Sequence, residues 1–464
     1  MAGDGEPVYR VANPRIRLTE GAVCEPGGLR RVRQAAARSL RPRAPRAPAP
    51  TMSASEDPSP PPLAHAPPEA GPSRARALEV LWAFLKLGLT SFGGPVAHLG
   101  YFRTEFVERR RWVDDRSYAD LVALCQFLPG PASSQVGMAL GLQRAGGLGA
   151  LMAWIGFTMP SALALIVFAH GMTQYGAWAT SGAVQGLKVV AVAVVAQAVW
   201  GMARSLCPDA PRAALALGAA LLCLAWPGSL GQLAAIAVCG LVGWRLLALP
   251  ADGPTPHIGC GVSRRVGAAA LGLFAVLLLG LPLVALVTGS PLWAMVEGFY
   301  RAGALVFGGG HVVLPLLQTV VVPSGAVTST EFLAGYGAAQ AAPGPLFTFA
   351  AYLGAVMDGP LTGALGGLVF LGVIFLPAFL LVVGALPFWD ALRVRPSVRT
   401  AMAGVNAGVV GLLLAALVGP VRAGGLHDAV DLGLAVAAFV LLVVGRVSPL
   451  LVVGLGALTG AALR

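Results

Sequence analysis

The chain has 464 residues, 56% of them hydrophobic and 11% charged, with 61 glycines and a formal charge of +11. A mean hydropathy of +0.75 excludes an ordinary soluble domain and places the chain among polytopic α-helical membrane proteins. The excess arginine sits in an N-terminal tail and at the ends of apolar segments, as the positive-inside rule requires, so it does not argue for nucleic acid.

Residues 1–77 read as a basic, Pro/Arg-rich tail. Up to residue 76 it holds twelve arginines, seven acidic residues and hardly an apolar run, so it is expected to be disordered. It lacks the apolar core of a cleavable signal peptide. Met52 opens a second start, so residues 1–51 are expected to be upstream sequence without function. Apolar segments then run over 78–101, 118–142, 148–170, 183–203, 213–226 and 230–249, with a lone span at 266–287. Six more follow at 292–321, 332–357, 361–386, 401–421, 432–444 and 450–463. The order is six, one and six: a first unit over 78–250, a linking transmembrane helix within 251–290 and a second unit over 291–464.

The two units carry the same landmarks. Phe84, Lys86, Gly88, Phe92, Gly93 and Gly94 recur 215 residues later as Phe299, Arg301, Gly303, Phe307, Gly308 and Gly309. Gln126-Phe-Leu-Pro129-Gly130-Pro131 recurs 214 residues later as Gln340-Ala-Ala-Pro343-Gly344-Pro345. Two echoes at nearly one offset indicate a duplicated unit. Glycine and proline clusters break a helix that must satisfy its own backbone in lipid, and such breaks are tolerated where the freed groups line a cavity. Broken helices at corresponding positions of two halves point to a transporter's binding site.

Charge flanks then set direction. Segment 148–170 starts beside Arg144 and ends in an uncharged loop, so it runs from the cytoplasm outward. Its counterpart, 361–386, ends at Arg393, Arg395 and Arg399 and must run the other way, with the lone seventh span supplying the odd crossing. The tail, the run from Arg103 to Arg116 and Arg144 share the cytoplasmic side only if the two broken segments each enter and return. The expected fold is an all-α polytopic membrane protein of about 13 hydrophobic segments, with two homologous units in inverted topology and broken or re-entrant helices. Its N-terminus is expected inside and its C-terminus outside.

The F-G-G-P of the first unit and F-G-G-G of the second, each followed by P-G-P, resemble the long-form, two-domain chromate transporters of the chromate ion transporter family. The match runs from about Leu78 to the C-terminus. That resemblance implies a multi-pass transporter of the inner membrane that exports chromate and confers resistance to it, with sulfate as a competitor. It implies no enzyme activity, no cofactor and no metal; a homodimer is left open. The residues themselves give an anion carrier and do not separate chromate from sulfate. An importer of sulfate or another oxyanion therefore stays as an alternative. A membrane-embedded enzyme such as a chromate reductase is disfavoured, since no cysteine pair, metal-spaced histidine set or dinucleotide fingerprint is present.

Ionisable groups at membrane depth are costly and mark candidate sites. Lys86 and Arg301 hold equivalent places and are expected to approach one another from opposite faces, holding a dianion. Glu79 and Glu297 stand near them as pairing or coupling groups. Helices starting after Gly94-Pro95, Gly309-Gly310, Pro131 and Pro345 would aim orphan amides and positive dipole ends inward. Thr90, Ser91, Ser133, Ser134 and Thr348 could donate hydroxyl hydrogen bonds beside those turns, and Gln126 and Gln340 precede Pro129-Gly130-Pro131 and Pro343-Gly344-Pro345. His98 and His311 lie just past the breaks, as core histidines or proton-coupling groups. Lys188 is matched by Asn406. Trp112, Trp178, Trp200, Trp226 and Trp389 read as an interfacial belt.

Overall fold

A computed structural model describes residues 74–174, 182–248, 262–307, 310–389, 391, 395–421 and 425–463. The tail lies outside the described residues up to position 73; residues 74–77, expected with the tail, instead form the first turn of α1.

The first copy comprises α1 (Arg74–Thr90), α2 (Gly94–Phe102, prolonged by a π-helical Arg103–Arg109), α3 (Asp115–Phe127), α4 (Ala132–Gln174), α5 (Gly182–Leu206), α6 (Ala210–Ala225) and α7 (Ser229–Leu246). The linking helix is α8 (Arg264–Thr288). The second copy repeats the order as α9 (Pro291–Leu305), α10 (Val313–Val321), α11 (Ser329–Ala341), α12 (Phe349–Val356), α13 (Gly363–Ala385), α14 (Pro396–Ala416), α15 (Ala429–Val443) and α16 (Pro449–Leu463). Single-turn 3-10 helices, Gly310–Val312 and Leu346–Thr348, lead into α10 and α12. Local signals place the starts. Asp114, Asp209 and Asp428 accept backbone amides at the heads of α3, α6 and α15, and Thr328 and Glu331 form a capping box on α11.

The broken segments turn back. α1 has 17 residues and α3 has 13, about 25 and 20 Å of helix, short of a hydrocarbon core of about 30 Å. α4 is interrupted by non-helical backbone at Ala145 and Gly146, so its first part is also short. Ion pairs gather the far ends of these pieces. Arg144 meets Glu79 at 3.1 Å, Arg110 meets Glu79 at 3.5 Å and Glu105 at 2.7 Å, and Arg103 meets Asp115 at 2.8 Å. Both α1–α2 and α3–α4 therefore enter and return to one side, hinged at the glycine and proline clusters.

Among the described residues, five helices are long and apolar enough to cross a membrane: α4, α5, α8, α13 with its short extension, and α14 with its own. The equivalent helices α4 and α13 pack against each other and run antiparallel. Trp154 stacks edge-on with Phe375 and Phe379 at 5.6 and 5.8 Å, while Ile166, further along α4, lies against Gly367 near the start of α13. The chain is an all-α polytopic membrane protein in which the second copy is inverted relative to the first.

The copies also exchange their last two helices. α6 and α7 pack on α14, with Gly411 against the carbonyl of Ala216 and Gly404 against that of Cys239. α15 and α16 pack on α5 of the first copy, where Gly456 meets Gly186 and Gly460 meets Gly182. Small residues let these backbones touch, as they do between helices in lipid. α8 lies on the outside of α9 and α13, held by Gly267 against Pro387 and by the Tyr300 hydroxyl donating to the Phe274 carbonyl (3.1 Å); its remaining surface is uncovered and apolar. The tryptophan belt is corrected at one position. Trp389 is buried and donates its indole N–H to Asp120 (3.2 Å), so it serves the core and not the interface. Trp178 lies outside the described residues.

Candidate functional site

The four breaks converge. The Gly130 amide donates to the carbonyl of Val306 at 2.6 Å, and the Gly344 amide donates to the carbonyl of Ser91 at 2.9 Å. Val306 is the counterpart of Ser91 and Gly344 that of Gly130, so the two bonds are one contact repeated by the internal symmetry. Each P-G-P turn is thereby docked on the broken helix of the other copy. Gly130 and Gly344 have φ of +125° and +94°, a backbone that glycine adopts without strain. Around Gly344 stand the carbonyl of Phe157 and the hydroxyl of Ser161; beside Gly130 stands Gln135, which donates to the Pro129 carbonyl (2.8 Å).

The polar lining is one-sided. Ser91, His98, Ser133, Ser134, Gln135, Thr158 and Ser161 are all buried. His98 Nδ1 lies 3.3 Å from the Ser133 hydroxyl, and its ring stands edge-on to Phe157. Buried polar groups are normally paired. Yet Ser91 Oγ, His98 Nε2, Ser134 Oγ, Gln135 Oε1 and Thr158 Oγ1 have no partner within the protein. At equivalent positions the second copy carries Val306, Val313, Phe347, Thr348, Phe349, Phe375 and Ala378. Only Thr348 is polar, and it donates to its own Pro345 carbonyl (2.8 Å). The arrangement offers a tetrahedral acceptor-rich ion several hydroxyls, an imidazole and the free amides at the head of α4, closed on one side by the Gly344 turn.

The other candidates fall in several places. Lys86 is half exposed and sits 3.8 Å from Glu105, while Arg301 pairs with Glu297 at 3.0 Å. Each cation thus has a carboxylate within its own copy, and no contact joins the two. Glu79 pairs with Arg110 and Arg144 in place of Lys86, and Arg110 and Arg144 lie over Trp112 at 5.5 and 5.4 Å. Thr90 donates to the Lys86 carbonyl (2.8 Å), Gln126 is exposed, and Gly93 and Gly94 form the left-handed turn that opens α2. Pro129 and Pro131 flank Gly130 as Pro343 and Pro345 flank Gly344, holding both turns. His311 Nδ1 is 2.9 Å from the Tyr336 hydroxyl, with Gln340 at 3.5 Å. Gly308 and Gly309 lie outside the described residues. Lys188 is buried, its carbonyl against Gly425 of the second copy.

Sequence reading missed Gln135, Thr158 and Ser161. A signal existed, because Pro160 in α4 and Pro377 in α13 stand mid-helix at equivalent positions, another helix-disfavouring residue shared by both copies.

The antiparallel repeats and convergent breaks define a multi-pass membrane transporter with its polar centre where the two copies meet. Residues 78–244 and 293–461 each match the family described as chromate transporter. The chain belongs to the chromate transporter family. It is 28% identical to the chromate transport protein of Pseudomonas aeruginosa over 361 residues, covering 74% of this chain and 81% of that one. It is 28% identical to the probable chromate transport protein of Synechococcus elongatus (72% and 82% covered) and 25% identical to the chromate transport protein of Cupriavidus metallidurans (73% and 81% covered). No solved structure matches.

Proposed function

We propose that this protein is a secondary transporter that exports chromate across the cytoplasmic membrane and so confers resistance to it. The single observation that carries the reading is the set of unpartnered buried polar groups on the first copy, closed by the Gly344 turn of the second. Relatives named as chromate transport proteins supply the ion. Sulfate, another tetrahedral dianion, is the expected competitor. The arginines clustered at the turned-back ends of α1 to α4 support a cytoplasmic location for that side and the N-terminus, with the C-terminus outside.

In this reading Lys86 and Arg301 provide the positive charge during transit, and each leaves its carboxylate, Glu105 or Glu297, to do so. Alternating access follows from motion of one copy against the other about the two shared backbone bonds. Export needs no ATP. A dianion leaving an inside-negative cell gains about 2.3 kcal/mol per charge per 100 mV, roughly 4.6 in all. At 1.4 kcal/mol per tenfold, that sustains an outward gradient of about three orders of magnitude.

The test is uptake of labelled chromate by inside-out vesicles, with and without an imposed inside-positive potential and with excess sulfate. Potential-driven accumulation that sulfate inhibits is expected. Uptake only by right-side-out vesicles would overturn export in favour of import.

A further inference from the structure

A half-open, mainly apolar cavity with a few polar groups on its wall lies away from the convergent breaks. It has a volume of about 570 Å³ and is walled by the α6–α7 turn, α10 and the last turn of α14, with Cys223, Gln232, Gln318 and Thr319 on its surface. Gln318 is 5% exposed, and its Oε1 has no partner within the protein. Gln232 is 7% exposed, donates to the Pro315 carbonyl (3.2 Å) and lies 3.5 Å from the Thr319 hydroxyl. Gln232 also lines a small void of about 10 Å³ that Arg301 and Leu316 border. One glutamine therefore stands between the large cavity and the half-buried Arg301 of the second copy.

The position of the cavity fixes its side. Arg204, Arg212 and Arg245 mark the opposite ends of α5, α6 and α7, and Arg395 and Arg399 mark the opposite end of α14. The Pro227-Gly228 turn and Leu412 to Ala416 therefore face away from the basic side. A membrane-buried amide lacking a partner is costly unless water or a ligand meets it. An amide can present either its carbonyl or its two N–H donors by rotation of its terminal torsion.

We propose that this cavity is the outer vestibule through which the oxyanion leaves, with Gln318 and Gln232 relaying it from Arg301 to the outside. The inference rests on the export reading and adds the path to it. Cys223 supplies the test. Intact cells are treated with the anionic, membrane-impermeant thiol reagent MTSES or with its cationic analogue MTSET, and inside-out vesicles are then assayed for chromate uptake. MTSES should lower uptake at least tenfold and MTSET far less, and Cys223→Ser should abolish the sensitivity. Gln318→Leu and Gln232→Leu should each lower kcat/KM at least tenfold at unchanged membrane abundance. Unaltered uptake after MTSES, with Cys223 shown by mass spectrometry to be modified, would overturn the proposal. So would modification only from the cytoplasmic side, or wild-type kinetics in both glutamine variants. Absence of chromate flux in untreated vesicles would instead overturn the export reading, and labelling of Cys223 from outside would still decide whether the cavity opens outward.

Discussion

Replacing Gly130 with alanine tests the convergence of the breaks at its hinge. The φ of +125° costs a non-glycine residue about 1–3 kcal/mol. A Cβ there would stand 2.7 Å from Gln135 Nε2, displacing the amide from the Pro129 carbonyl at about 1 kcal/mol more. The turn loses roughly 2–4 kcal/mol, equivalent to a 30- to 700-fold fall in the population that keeps Gly130 docked on Val306. Gly344→Ala should behave alike, because its φ is +94° and its Cβ would meet the Phe157 carbonyl at 3.0 Å and Ser161 Oγ at 3.1 Å. Gly289, at the end of α8, has φ +58° and open space around it, so Gly289→Ala carries backbone strain alone and controls for it. The assay is chromate uptake by inside-out vesicles, normalised to protein in the membrane, alongside thermal unfolding in detergent. Uptake should fall at least tenfold for Gly130→Ala and Gly344→Ala and stay near wild type for Gly289→Ala. Wild-type uptake by either of the first two would refute the argument that the docked turns build the site.

Thr158→Val removes a buried hydroxyl whose oxygen has no partner, so it should leave thermal stability unchanged or raise it by about 1–3 kcal/mol while lowering chromate uptake. Loss of stability with normal uptake would assign Thr158 to the core alone. Lys86→Ala and Arg301→Ala should each abolish export at unchanged abundance, and normal export by either would remove the cations from the transport path. Asp114→Ala should cost about 1 kcal/mol by uncapping α3, read from unfolding midpoints at pH 7. Hydrogen bonds from Ser117, and then from the Arg116 amide, hold the Asp114 carboxyl below its ordinary value. Its contribution is therefore complete above about pH 4 and lost as the pH falls through the lowered value, so wild type and variant should converge in acid.

The amino acids alone made legible the class, the duplication, the places where helices break and the opposed directions of the two copies. These are properties of short stretches: an apolar run, a glycine or proline that cannot continue a helix in lipid, a cluster of arginines beside a segment end. Recurrence at offsets of 215 and 214 residues made them legible without any knowledge of packing. Which breaks meet depends on packing, because Gly130 and Val306 lie far apart in the chain and join through the symmetry between copies. Packing also decided where the polar groups gather. Ser91, His98 and Thr158 are buried polar groups of the first copy, whereas their counterparts in the second are Val306, Val313 and Phe375. Lys86 and Arg301 show the limit of reading symmetry from sequence. Phe84 and Gly88 turn one face of α1 onto α4, and Lys86, two residues from either, points about 200° around the helix to Glu105. Equivalent positions in a repeat share a place on the helix; whether they share a site depends on which helical face the other copy covers.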